Sequence, residues 1–157
     1  MCPVAILENE GRCLGGTTFF AQSHPSEVCG SNGLPLTPNS ITIYGKSQFL
    51  KTIEHPNLAP YLDIIRSKHE RAVVVSEYSG IPLSNRPING NSTNDIIKIA
   101  YQTLLGLNHM HNIGLIHRHL SPDNILINNE NNGDVQLYNY GLYYMTENGK
   151  NVSFPIG

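Results

Sequence analysis

The sequence predicts an α+β fold, and three observations carry that prediction. Residues 93–112 repeat apolar side chains at three and four residues, the period of a helix. Residues 61–66 and 71–78 are rich in β-branched and aromatic side chains, and Ser67-Lys-His-Glu70 joins them as an antiparallel hairpin. Residues 125–128 and 135–138 form a second pair of short strands around the polar turn Asn129-Glu-Asn-Asn-Gly133.

Residues 1–40 are punctuated by Gly11, Gly15, Gly16, Gly30 and Gly33 and by Pro25, Pro35 and Pro38. Such breaks argue against a long helix. Residues 17–21 fit a strand, and Gly11-Arg-Cys-Leu-Gly-Gly16-Thr-Thr reads as an irregular turn. A Walker loop needs a lysine after its last glycine, to reach the terminal phosphates, and Thr17 stands there instead. The glycine spacing also differs from G-x-G-x-x-G. Residues 46–53 predict a short helix, with Phe49, Leu50 and Ile53 on one face. Pro56 ends it and pushes His55 toward extended backbone. Val73, Val74 and Val75 suggest a strand buried on both faces. Residues 80–93 read as a loop.

The helix over 93–112 has Ser92 as its N-cap and Asp95 as the acid of a capping box. Ile96, Ile97, Ala100, Leu104, Leu107, Met110 and His111 make a broad stripe, so the helix should be largely buried in a complete domain. Gly114 suits its C-terminus. His109 and His111 lie two residues apart, point to different faces, and make a poor metal pair.

Composition narrows the classes. The chain has 157 residues, 39% hydrophobic and only 14% charged, with net charge −2. That gives no basic footprint for nucleic acid or a membrane surface. No segment has membrane-spanning length, and the start lacks the features of a signal peptide. Three cysteines (Cys2, Cys13, Cys29) without a CxxC read as reduced thiols, so a cytoplasmic location is expected. Asn91-Ser-Thr and Asn151-Val-Ser match the glycosylation pattern but read as solvated loops.

The stretch from His117 to Gly141 holds the chemistry. It reads His-Arg-His-Leu-Ser-Pro-Asp-Asn-Ile-Leu-Ile, a polar turn, then Val-Gln-Leu-Tyr-Asn-Tyr-Gly. Leu120, Ile125, Leu126, Leu137 and Tyr140 should anchor a loop that presents polar groups. The stretch resembles the protein kinase catalytic loop H-R-D-L-x-x-x-N followed by D-F-G. Upstream, His55-Pro-Asn-Leu58 resembles the junction after the small-lobe helix, and Val74-Val-Ser-Glu-Tyr78 resembles the hinge that holds adenine. The resemblance implies a truncated protein-kinase-like fold. Residues 1–80 would be a degenerate small lobe and hinge, and residues 81–157 the start of the large lobe. Gly30-Ser-Asn-Gly-Leu-Pro-Leu-Thr-Pro-Asn-Ser40 and Phe154-Pro-Ile-Gly157 are similar to the N-terminal part of the TBC-domain-containing, protein-kinase-like family. That family adds TBC (Rab-GAP) and rhodanese-like domains. Neither is in this sequence, which also stops before the A-P-E motif.

Projected onto the kinase pattern, His119 takes the position of the catalytic aspartate and Asn124 that of the second metal ligand. Asn139 replaces the D-F-G aspartate, and Ser121 replaces a phosphate-contacting lysine. Glu77, Leu126 and Asn139 fall at cofactor-binding positions as vestiges. Lys46 falls at the small-lobe glutamate, and no lysine precedes it to serve as the V-A-I-K lysine. Arg118 is kept. Leu50, Tyr61, His117 and Tyr140 fall at the positions of the side-chain stack that joins the lobes, and Ser76 at the gatekeeper. Phosphoryl transfer depends on positioning and charge. The resemblance therefore implies a catalytically inactive pseudokinase, acting as a scaffold or regulatory module through protein partners. Rab GTPases would enter only through the missing TBC region. No metal site and no bound cofactor are expected, beyond weak ATP/Mg²⁺ binding. The alternative is an atypical ATP-binding Ser/Thr kinase with His119 as base. Residues 1–157 alone would also leave the helical stripe uncovered, as an unstable fragment would.

Overall fold

Two antiparallel strands open the chain in the computed structural model, which describes residues 4–9, 12–27, 36–86, 93–128, 133–150 and 152–153. They are β1 (Val4–Asn9) and β2 (Arg12–Ala21). Gly15 and Gly16 lie inside β2, not in a turn: Gly15 pairs with Ile6 and Ser76, and Gly16 with Ala5 and Val75. A strand hydrogen-bonded on both sides holds glycines that local propensity would assign to a turn. Further along it, Thr17, Phe19 and Ala21 are buried, while Thr18 and Phe20 are half-buried. That two-residue period is hidden in the sequence by the glycines before it.

The first helix, α1 (Pro38–Lys51), begins eight residues before the expected position 46. Thr37 is its N-cap, accepting from the Ser40 N–H at 3.3 Å. Pro38, read as a breaker, occupies the first turn, where its missing N–H costs nothing. Ile43, Ser47 and Leu50 form its buried face. Phe49 faces outward instead, and its ring meets Tyr144 edge-on at 5.8 Å.

The predicted hairpin is present as β3 (Tyr61–Arg66) and β4 (Arg71–Glu77). Its turn places His69 and Glu70 at positive φ. β4 is not buried on both faces. Ala72, Val74 and Ser76 are buried, and Val73, Val75 and Glu77 are half-buried. β5 (Ile81–Pro82) is a short strand where a loop was expected, followed by a 3₁₀ turn at Leu83–Asn85. The second helix, α2 (Thr93–Asn112), lies where its period predicts. Its proposed N-cap, Ser92, is outside the described residues, as are Cys2, Cys29, Asn91 and Asn151. β6 (Ile125–Asn128) and β7 (Asp134–Leu137) complete the second predicted pair, and α3 (Leu142–Met145) and β8 (Val152–Ser153) follow.

These elements make two compact units. Unit 1 comprises Met1–Ile53, Tyr61–Glu77 and Leu142–Gly157. Its sheet runs β1-β2-β4-β3, with β8 added on β2. The α1 and α3 helices meet through Phe49–Tyr144 and through Lys46. The ammonium of Lys46 lies 3.0 Å from the Glu147 carboxylate and 5.6 Å from the Tyr144 ring centroid. Unit 2 comprises Glu54–Pro60 and Tyr78–Gly141, with the sheet β5-β6-β7.

In unit 2, α2 packs on β7 through a narrow face. Its buried residues are Thr103, Gly106 and Met110, whereas Ile96, Ile97, Tyr101 and Leu104 lie outside, Leu104 at 62% exposure. Close approach explains the choice. A Cβ on Gly106 would sit 2.9 Å from the Asn57 carbonyl oxygen. Gln102 Oε1 accepts from the Val135 N–H at 2.7 Å and from Asn57 Nδ2 at 3.1 Å. Asn57 Nδ2 also donates to the Val135 carbonyl at 2.9 Å. Met110 of the apolar stripe is buried with these small and hydrogen-bonding residues and Leu107 is half-buried, while the rest of the stripe is left in solvent, as expected of residues 1–157 alone. Among the described residues no helix is long and apolar enough to cross a membrane.

Candidate functional site

The loop after α2 is built on buried anchors. Gly114, at φ +79, ends the helix, and the Leu115 N–H returns to the Met110 carbonyl at 2.9 Å. Leu115 and His117 are buried, and the His117 ring Nε2 lies 3.1 Å from the Tyr138 carbonyl. That carbonyl can only accept, so Nε2 carries the proton. Ile125, Leu126, Leu137 and Tyr140 anchor the frame as expected. Leu120 does not, being 45% exposed.

His119 and Arg118 are exposed, and Arg118 adopts positive φ. A 3₁₀ turn, Pro122–Asn124, then brings Asn124 inward to 5% exposure. Asn124 is the centre of the local hydrogen bonding. Its Nδ2 donates to the His119 carbonyl at 2.9 Å and to Ser121 Oγ at 3.3 Å. Its Oδ1 accepts from Asn139 Nδ2 at 3.1 Å. Its backbone carbonyl accepts from the Tyr138 N–H at 2.8 Å. Asp123 points elsewhere and accepts from the Ser84 hydroxyl at 2.6 Å. Asn139 sits at φ +58, a region asparagine enters more readily than most residues.

Unit 2 thus brings His119, Asn124 and Asn139 into one hydrogen-bonded cluster, His119 through its carbonyl and with its side chain exposed. Leu126 lies in β6 of the same unit and is fully buried. Glu77 is the last residue of β4 and belongs to unit 1. Among the described residues, no group of three or more His, Cys, Asp or Glu side chains could hold a metal ion. His109 stacks on His55, with ring centroids 4.7 Å apart, and the Asn57 N–H donates to His55 Nδ1 at 3.1 Å. Gln102, Asn57 and Ser84 were not foreseen as parts of this frame. Only their partners across the fold reveal them.

Burial lowers the pKa of His117, against two backbone hydrogen bonds that raise it, and the nearby His119 lowers it further. His55 is lowered too, by burial first and His109 second. The unfolded chain then binds more protons than the folded chain below the ordinary value of about 6.5. Stability from both groups is complete above about pH 6.5 and falls as pH drops toward their folded values. Urea unfolding from neutral to mildly acidic pH should show this loss, at up to about 1.4 kcal/mol per pH unit for each group. His117→Asn should remove the His117 share and keep that of His55. An unchanged slope in the variant would contradict the assignment.

Comparison with known proteins agrees with this frame. Residues 38–156 match the protein kinase domain family. The TBC domain-containing protein kinase-like proteins of Gallus gallus and Homo sapiens are 51% and 50% identical over 92% of the chain. That of Dictyostelium discoideum is 36% identical over 78%. The chain spans 16% of the length of the two vertebrate relatives and 12% of the Dictyostelium one.

Proposed function

Because the chain belongs to the protein kinase domain family, we propose that it is a kinase-fold module that acts by binding protein partners and not by transferring phosphate. In this reading it is a scaffold or regulatory part of a larger protein of the Rab-GAP type. The observation that carries the reading is the pair of side chains at the two carboxylate positions. His119 and Asn139 stand there, in a frame that keeps Asn124 and buries Ile125, Leu126, Leu137 and Tyr140. Phosphoryl transfer needs the metal's charge balanced and the attacking hydroxyl's proton accepted. A neutral amide balances no charge. An exposed imidazole lacks the fixed negative charge of an aspartate. Lys46, at the position of the small-lobe glutamate, is engaged with Glu147, so it supports no phosphate-binding ion pair.

Two measurements test the proposal. Thermal unfolding of the chain should not shift when Mg-ATP is added, and incubation with labelled ATP and a general protein substrate should transfer no phosphate. Phosphate transfer that disappears on His119→Ala would establish an atypical Ser/Thr kinase instead. A Mg-ATP stabilisation without transfer would retain the binding module but make nucleotide one of its ligands.

A further inference from the structure

We propose that the Asn139 carboxamide takes the place of a divalent cation in this loop: its N–H bridges residue 139 to Asn124 and fixes residues 117–124 without metal. The proposal rests on the reading of the chain as a module that does not transfer phosphate, and it adds how the loop keeps its shape.

The orientation of Asn124 is set by its neighbours. The His119 carbonyl is an acceptor only, so Asn124 must turn its NH₂ toward it, and the 2.9 Å contact follows. Ser121 Oγ takes a second contact from the same nitrogen at 3.3 Å. Asn124 Oδ1 is therefore directed to the other side, where Asn139 meets it at 3.1 Å. Only a donor is accommodated at that distance. An ionised carboxylate at 139 would set oxygen against oxygen, and such a pair needs a cation between its members. Asparagine supplies the positive hydrogen within the chain. The family's Mg²⁺ fits this pair poorly: both side chains are neutral amides, and Asn139 turns its NH₂, not an oxygen, toward Asn124.

The backbone around the contact is tied independently. The Tyr138 N–H reaches the Asn124 carbonyl at 2.8 Å, and His117 Nε2 reaches the Tyr138 carbonyl at 3.1 Å. Asn139→Asp keeps the side chain's size and its tolerance of φ +58. It removes little but the donor. The substitution therefore separates a charge-bridging role from simple packing.

The test uses the 157-residue chain at neutral pH without nucleotide. The wild type should have the same Tm in EDTA, Mg²⁺ and Mn²⁺. Asn139→Asp should lower Tm by about 3 °C in EDTA, and Mn²⁺ or Mg²⁺ should restore it. Asn139→Ala should show a loss that neither ion restores. The side-chain amide NMR signals of Asn124 and Asn139 in the wild type should stay sharp on addition of Mn²⁺, a readout that does not depend on any variant folding. The proposal is overturned if those signals broaden selectively, if metal stabilises the wild type, if Asn139→Asp leaves Tm unchanged in EDTA, or if neither ion restores the loss. Phosphate transfer by the wild type would defeat the parent reading. These nucleotide-free metal responses judge the amide bridge separately.

Discussion

Gly80→Val is expected to destabilise unit 2 by roughly 4 kcal/mol, strain and overpacking together. Gly80 lies at φ +111, where side chains with a Cβ are rarely found. A Cβ there would stand 2.3 Å from the Ile127 carbonyl oxygen and 2.8 Å from the Asn128 nitrogen. Both atoms belong to the backbone of β6, which also pairs with β5 through Ile81 and Pro82, so neither can yield without disturbing the sheet. The valine adds β-branching to a positive φ, which raises the strain further. Small domains have only about 5–15 kcal/mol in total, so the urea midpoint should fall steeply. A midpoint within error of the wild type would show that β5 does not hold this geometry in solution.

Glu70→Ala should be the next most damaging change, at about 3 kcal/mol. The Glu70 side chain is 1% exposed, and its carboxylate accepts from the Ser40 hydroxyl in the first turn of α1. It also lies 3.7 Å from the Arg66 guanidinium, while its backbone carbonyl holds the Ala21 N–H at 2.9 Å. A carboxylate at a helix N-terminus is favoured by the helix dipole. Nearby, burial is the main cause that pushes the Tyr44 hydroxyl up to about 12, with Arg66 opposing and Glu70 adding to the rise. Removing the carboxylate takes the acceptor from the Ser40 hydroxyl and one counter-charge from Arg66. Glu70→Gln keeps an acceptor for Ser40 and should lose less. Chemical unfolding of both variants checks the order, and equal losses would mean that charge rather than hydrogen bonding dominates.

Long periodic segments were legible in the sequence because their signal is local. The helix over 93–112, the hairpin around Ser67–Glu70 and the strands flanking residues 129–133 all stand where period and turn residues put them. Two other features were not legible. Gly15 and Gly16 read as a turn until β1 and β4 are seen on either side of them. Pro38 read as a breaker because helix N-termini and interiors use proline oppositely. The docking face of α2 was legible only in part. Hydrophobicity marked Met110, which is buried, and also Ile96, Ile97 and Leu104, which residues 1–157 leave uncovered as expected; Gly106, Gln102 and Asn57 complete the face that docks. At the candidate site, residue identities were readable by resemblance to kinases. The bond between Asn124 and Asn139 was not, since its direction depends on which neighbour accepts from Asn124.

The two units are interleaved along the chain: Tyr78–Gly141 of unit 2 lies between the Tyr61–Glu77 and Leu142–Gly157 segments of unit 1. β8 then pairs Val152 with Ala21 and Ser153 with Phe20, closing a loop that contains nearly the whole sequence. Loop closure of that length is entropically costly and slow. During synthesis, every residue of unit 2 is made before the segment that carries α3 and β8. The ribosome therefore delivers unit 2 whole while unit 1 still lacks its last strand. Lys46 meanwhile awaits Glu147. Order of emergence, and not stability alone, then sets which half of this protein is first able to meet a chaperone or a partner.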